Sequence, residues 1–247
     1  MRPHHYGALI QRWRAVARTA GVRLQRFAKE GSDPLYFLKT PALAANGGIY
    51  ISAAIHGDEP ASSEALITWA EKHARRLARW PLLLFPCLNP WGLRNNIRLD
   101  PTGADLNRAF HVDDHPVITA LKRVVAPHQF DLALMLHEDY DGEGFYLYEI
   151  KRDLPFWGEA LLATASRHIA IDPRKKIDGR TARDGLIRRR FDRERFKQMG
   201  FPEAIWLHDQ HARRALTTET PSEFALEQRV RTHVAVLEEC VRRLGHR

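Results

Sequence analysis

The stretch GGIYISAAIHGDEPASSEAL, residues 47–66, decides how the chain is read. Its first part is an almost unbroken apolar run ending at Ile55, the pattern of a strand covered on both faces. Its last part opens with Pro60, which suits the first turn of a helix. Ala61, Ala65, Leu66, Trp69, Ala70 and Leu77 then follow at helical spacing. A strand that passes straight into a helix predicts α/β layering. Between the two lie His56, Gly57, Asp58 and Glu59, with Gly57 expected to allow a tight turn. Glu59 falls at or near the helix cap, where the shorter Asp, Asn, Ser and Thr are preferred, so its presence there calls for another reason. An imidazole and a carboxylate held by one rigid turn supply two ligands of a kind that zinc takes. Taken alone, the two residues read more readily as a hydrogen-bonded surface pair than as a metal site.

Outward from this stretch the same alternation continues. LYFLKT, PLLLFPCL, FDLALMLH, GFYLYEI, AIWLHDQ and RALTTET read as further strands, several of them nearly continuous apolar runs. Phe224, Val230, Val234, Leu237, Val241 and Leu244 mark a closing amphipathic helix. The expected fold is α/β, with a mixed, mostly parallel central sheet flanked by helices. Residues 1–247 are expected to form one domain. In such sheets ligands gather beyond the carboxyl ends of the strands, so polar residues at strand exits are the ones to inspect.

Composition narrows the class. With 44% hydrophobic and 28% charged residues among 247, the chain is an ordinary globular one. No apolar run approaches a membrane span, and Gln11, Arg12 and Arg14 interrupt the N-terminal segment where a signal peptide needs its apolar region. Cys87 and Cys240 form no cysteine framework. A cytoplasmic protein without membrane contact is expected. The net charge of +8 is concentrated in DPRKKIDGRTARDGLIRRRFDRERFKQ, residues 172–198. This stretch reads as a basic insertion with a solvated face. Nucleic acid is not an expected partner, because no zinc-finger, RRM or KH pattern accompanies the charge. Nothing in the sequence specifies an oligomer.

A third ligand turns the His56 and Glu59 pair into a set. The run FDLALMLHEDYDGEG again ends on a histidine at a strand exit, His137. Two histidines and a glutamate, with water in the fourth position, make a catalytic zinc site. Of the other histidines, His4, His5 and His246 lie near the ends of the sequence. His73 and His233 fall in helical patterns and read as solvated. Hydrolysis also needs a base and a positive group for the developing oxyanion. In RALTTETPSEFALEQRV, Thr220, Pro221, Ser222 and Glu223 read as a capping box with proline at its favoured position. That accounts for Glu223. Glu219 has no such employment and is the expected base and proton shuttle. The polar stretch NPWGLRNNIRLDPTGADLNRAF, residues 89–110, is of a kind usually functional when ordered; it offers the guanidinium groups of Arg98 and Arg108 and the amide of Asn107.

HGDE, NPWG, DLNR, a strand ending in His137, and TTETP, in that order, resemble the zinc carboxypeptidase superfamily, which includes murein peptide amidases and the aspartoacylase and succinylglutamate desuccinylase branch. The resemblance runs from about Gly48 to Glu227. It implies one zinc per chain on His56, Glu59 and His137, with Glu219 as the catalytic carboxylate. It implies that Arg98 polarises the scissile carbonyl, and that Asn107 and Arg108 hold the substrate carboxylate. HGDEP and the arginine nine residues before Asn107 look more like the murein amidase and carboxypeptidase branch than the deacylases. Two departures stand out. No tyrosine follows Tyr148, where family carboxypeptidases place a mobile one before the catalytic glutamate. His208 or His211 is a substitute, unless both are surface residues. Met135 stands where the superfamily often has an aspartate two residues before the third ligand. The acidic loop Glu138, Asp139, Asp141 and Glu143 reads either as a receptor for a substrate amine or as a solvated turn.

The expected activity is therefore zinc-dependent cleavage of a peptide or amide bond beside a free carboxylate, on a small peptide. The alternatives are an N-acyl amino acid deacylase and a non-catalytic protein whose basic segment holds a polyanion.

Overall fold

The computed structural model describes residues 3–152, 154–192, 194, 196 and 200–245. The last part of the basic stretch, with Arg193, Arg195, Lys197 and Gln198, and the chain-end His246 lie outside the described residues.

Helix α1 (Tyr6–Ala20) buries Tyr6, Leu9, Ile10, Trp13, Val16 and Ala17 along one face. It is followed by the antiparallel strands β1 (Leu24–Glu30) and β2 (Asp33–Lys39). Strand β3 (Ile49–Ala53) leads into α2 (Pro60–His73), as its sequence predicts. Then come β4 (Leu82–Phe85), the short α3 (Pro90–Asn95), α4 (Pro116–Val125), β5 (Leu132–Asp139), β6 (Tyr146–Lys151) and α5 (Gly158–Ala165). The basic stretch folds into the hairpin β7 (Lys176–Ile177) and β8 (Arg180–Thr181), followed by β9 (Leu186–Arg188). Helix α6 (Glu203–Gln210), strand β10 (Arg214–Pro221) and helix α7 (Leu226–Gly245) complete the described elements.

Eight strands form one sheet in the order β1-β2-β4-β3-β5-β10-β6-β9. The four central strands β4, β3, β5 and β10 run parallel. β2 and β6 meet them antiparallel on either side. Side chains alternate between the two faces with period two. Ile49, Ile51, Leu132, Leu134 and Leu216 pack into one core with α1, α2, α5 and α7. Tyr50, Ala133, Met135 and Ala215 pack into the other with α4 and α6. By the same alternation Ser52, His137, Thr217 and Glu219 face the α4 and α6 side, at or beside the carboxyl ends of the parallel strands. Helix α2 is buried nearly all round, which explains why its apolar pattern exceeds one stripe. Among the described residues no helix is long and apolar enough to cross a membrane, and both cysteines are free and buried.

Three sequence expectations are corrected. AIWLHDQ is not a strand but most of α6, whose residues Glu203–His208 are all buried. A short apolar run carries no periodicity that separates a buried helix from a buried strand. The capping box at Thr220 does not form. β10 continues to Pro221, with Thr220 opposite Glu138 and Pro221 opposite Asp139, so the strand ladder claims the residues a cap needs; α7 starts only at Leu226. His233 is not solvated. It is fully buried, with Nδ1 3.2 Å from Thr218 Oγ1 and Nε2 3.1 Å from both Thr220 Oγ1 and the His137 carbonyl.

Candidate metal centre

The turn between β3 and α2 starts at Ala54, which takes a left-handed φ of 48° and donates its N–H to Ser62 Oγ at 3.0 Å. Gly57 is needed for closeness rather than for its own backbone angle. A Cβ there would stand 1.9 Å from the Gly92 carbonyl carbon of α3. This contact presses the turn against the segment that starts NPWG. Glu59 is the N-cap of α2 but makes no capping hydrogen bond. Its carboxylate points instead at two imidazoles.

Glu59 Oε1 lies 2.6 Å from His56 Nδ1, and Oε2 lies 2.8 Å from His137 Nδ1. All three residues are buried, and their ligand atoms fall within 4.8 Å of one another. Oε2 is buried yet accepts no hydrogen bond of good geometry. Burial opposes ionisation of Glu59, but the charges of His56 and His137 hold its pKa well below the ordinary carboxylate range. Two inward-facing imidazole nitrogens and an incompletely satisfied buried carboxylate suit a cation of zinc's preferences.

Asp105 supports the set, a role the reading of DLNR did not assign to it. Its Oδ1 lies 3.2 Å from His56 Nε2 and accepts the Asn107 N–H at 2.9 Å. Its Oδ2 accepts from Arg98 Nε at 3.2 Å and Nη2 at 3.0 Å. Against the effect of burial, the bond and charge of His56 and the charge of Arg98 keep Asp105 ionised. A carboxylate on the far nitrogen of a ligating histidine fixes its tautomer and ring plane. The visible signal was a second acidic residue in a polar motif already singled out. The position two before the third ligand is indeed filled by Met135, buried in the α4 and α6 core. A further acid, Glu203 at the start of α6, is held by the Tyr50 hydroxyl and by Ser52 Oγ at 2.9 Å. Burial pushes its pKa up. The strand reading of AIWLHDQ hid this residue.

Glu219 stands beside the ligands by register. It lies opposite His137 on β5 and opposite Tyr146 on β6, so one row across three strands carries a candidate ligand, the expected base and a tyrosine. Burial first, and then the carboxylates of Glu59, Asp139 and Asp178, push its pKa well above the usual range. Arg98 Nη1 stands 3.2 Å from His56 Nδ1 and 3.7 Å from Glu59 Oε1. Asn107 uses Oδ1 to accept the Glu203 N–H at 2.8 Å, which leaves its NH₂ as the available end. Arg108 is exposed and donates to the Asn107 carbonyl at 3.0 Å. All seven expected site residues line one cavity of about 320 Å³.

The acidic loop divides. Glu138 is buried against Arg229 and accepts the Ala61 N–H at 2.5 Å, which makes it a structural group. Asp141 and Glu143 are exposed. Only Asp139 of the remaining three reaches the cavity, where it accepts from the Tyr146 hydroxyl at 2.9 Å. His208 and His211 are buried and do not line the cavity. The phenols that do so are Tyr146 and Tyr148 of β6.

Residues 46–165 match the family model of the succinylglutamate desuccinylase/aspartoacylase catalytic domain. That span contains every expected ligand and arginine but not Glu219. No curated protein matches the chain by sequence. Among solved structures, one from Shewanella amazonensis named a metallopeptidase superposes with a TM-score of 0.86 at 21% identity, covering 98% of this chain and 94% of that one. A metallo-carboxypeptidase from Burkholderia cenocepacia gives 0.69 at 17% identity, covering 96% and 68%. The murein-tripeptide amidase of Escherichia coli O157 gives 0.61 at 18%, covering 88% and 91%. At such identities the likeness is one of fold. The matched segment is just under half of the chain, and the fold shared with these structures is that of the zinc carboxypeptidase-like superfamily.

Proposed function

We propose that the chain is a zinc-dependent hydrolase that cleaves a peptide or amide bond beside a free carboxylate. The observation that carries this reading is the convergence of His56, Glu59 and His137 within 4.8 Å, one strand away from Glu219. A zinc ion held by those three would supply Lewis acidity for activating a water molecule and polarising a carbonyl. Glu219 takes the proton of the attacking water and returns it to the leaving amine. Arg98, fixed by two bonds to Asp105, meets the negative charge that develops on the carbonyl oxygen. Arg108 and the NH₂ of Asn107 hold the free carboxylate and so choose which bond is presented. Asp105 keeps His56 Nδ1 turned inward.

An N-acyl amino acid deacylase is the second reading. The matching family model is named for such enzymes, and 320 Å³ is small for a peptide-sized ligand. Zinc analysis, followed by a mass-spectrometric screen of the zinc-loaded protein against dipeptides, murein tripeptide and N-acyl amino acids, tests both. About one zinc per chain and a product bearing a free α-carboxylate are expected. A protein that takes up no zinc and cleaves none of the three classes removes both readings.

A further inference from the structure

Strands β5 and β10 divide their residues between the two faces of the sheet, and the face away from the candidate metal centre has no role in this scheme. Thr218 and Thr220 flank Glu219 on β10 and, by the alternation of the strand, point to the other side, where α7 lies. On β5, Glu138 follows His137 and points the same way. One helix meets all three. Arg229 and His233 are four residues apart in α7, so they share one of its faces. Arg229 pairs with Glu138, whose other oxygen accepts the Ala61 N–H in the first turn of α2.

One turn further along α7, His233 lies behind the row of His137 and Glu219. Its ring is fully buried, and both nitrogens have partners. The His137 carbonyl can only accept, so Nε2, 3.1 Å away, carries the ring proton and donates to it. Thr220 Oγ1 shares that donor at 3.1 Å. In the neutral ring Nδ1 is then an acceptor, and the Thr218 hydroxyl donates to it at 3.2 Å. The other acceptor near that hydroxyl, the Met135 carbonyl, is farther away at 3.4 Å.

One imidazole thus bonds the backbone of a candidate ligand and the side chains on either side of the expected base. Apolar packing does not call for it. Val236 and Leu237 fill the adjoining core, and a histidine costs more to bury than a leucine unless its nitrogens are bonded. What the ring supplies, and a leucine cannot, is a fixed link between two strands. The link stands where the ladder needs it, because the row lies only two residues from the last paired position, Pro221 opposite Asp139, and the ends of elements open more readily than their middles.

We propose that His233 is a positioning residue: from the opposite face of the sheet it fixes the separation and orientation of His137 and Glu219, and so of the metal ligand and the proton acceptor. Its effect on turnover rests on the hydrolase reading above; its hold on His137 does not.

The test compares folded full-length variants, loaded with zinc for kinetics and with cobalt(II) for the visible spectrum, which follows the geometry of the ligands. His233→Leu should lower kcat by about tenfold to a hundredfold with KM changed less, because a misplacement of about 1 Å is felt in the chemical step. Its cobalt bands should shift. His233→Gln should recover most of both, since a carboxamide also offers one acceptor and one donor from a single planar group. Val236→Ala, in the same helix and core, controls for lost stability: it should lower the urea midpoint and leave kcat and the bands near native. Should His233→Leu fail to fold, Thr218→Val carries the test, since it takes the hydroxyl from Nδ1 and should produce the same changes in part. Native kcat and bands in folded His233→Leu, or in Thr218→Val where His233→Leu does not fold, overturn the positioning role and leave the hydrolase reading standing. Changes as large in Val236→Ala overturn it too, because they reduce His233 to general support. If no substrate class is cleaved, yet the bands shift in His233→Leu and return in His233→Gln, the hydrolase reading falls and the hold on His137 stands.

Discussion

At the scale of single residues, two neighbouring glutamates separate role from position. Glu219 is in the row of the candidate ligand His137, whereas Glu223 is exposed, beyond the end of β10 and before α7 begins. Glu219→Gln should keep its zinc and lose turnover by about a hundredfold or more, because it removes the proton acceptor alone; Glu223→Gln should change neither. Metal analysis beside kcat measurement checks both, and an inactive Glu223→Gln would reverse the assignment. Asp105→Asn makes the complementary case. It can still accept from the Asn107 N–H, but it weakens the ionic hold on His56 and Arg98, so zinc affinity should fall about tenfold to a hundredfold. Competition with a chelator measures this directly. Glu59 was legible because glutamate is a poor cap residue whose presence needed a reason, and the helix cap lacking a capping bond bears that out. His137 was legible as the residue at which an apolar run turns polar, although β5 itself runs on to Asp139. Asp105, Glu203 and His233 were not, since each acts through partners 49 or more positions away, or through a helix whose type was misread.

At the scale of elements, the parts that could be read were those with one clear period or a clear break in it. The β3 to α2 unit is such a case, and so are β5 and β10. The strand β1 is only partly buried, shows no alternation and has little apolar content, so it gave no comparable signal. The β7–β8 hairpin and β9 are only two or three residues each, too short for any periodicity, and their Arg-rich neighbours suggested a solvated face. Their buried residues are few, but they face the tyrosines of β6. The end of β1 also carries a titratable group whose effect on stability has a definite sign. Glu30 accepts the Trp91 N–H of α3 at 2.9 Å, yet burial, assisted by Asp100 and Asp33, raises its pKa to about 7. A carboxyl whose folded pKa exceeds its unfolded value favours the fold most fully at low pH, and that contribution is lost as pH rises from about 4.5 through 7. Glu30→Gln keeps an acceptor for Trp91 without the charge. It should be neutral near pH 4 and stabilising by about 2 kcal/mol near pH 8. Urea unfolding at the two pH values tests the sign; equal effects at both would exclude the titration as its cause.

At the scale of the whole molecule, the sheet keeps its chemistry and its heaviest internal support at opposite ends of the same strand. β10 begins at Arg214 and carries Glu219 near its end, about 17 Å apart at roughly 3.3 Å per residue. Arg214 is almost wholly buried. Its Nε donates to Glu149 Oε1 at 3.3 Å, its Nη2 donates to the Pro155 carbonyl, and its guanidinium lies 3.9 Å over the Trp157 ring. Glu149, also fully buried, accepts the N–H groups of Trp157 and Gly158 at 2.9 Å each. The pair thus ties β6 and β10 to the start of α5, and Arg243 of α7 also approaches the Trp157 ring, 5.7 Å from its centroid. Removing one member of a buried pair leaves the other charge without compensation, at a cost of about 3–5 kcal/mol. Arg214→Met should sit at the low end of that range, since the two backbone donors still hold Glu149. The double variant Arg214→Met with Glu149→Gln should recover part of the loss, because it leaves no buried charge. The decisive expectation is the separation of the two ends: Arg214→Met should lower the urea midpoint while kcat per folded, zinc-loaded molecule stays near native, and Glu219→Gln should do the reverse. A loss of kcat in folded Arg214→Met as large as that in Glu219→Gln would mean that β10 transmits strain along its length, and the division of the strand into a supporting end and a chemical end would be wrong.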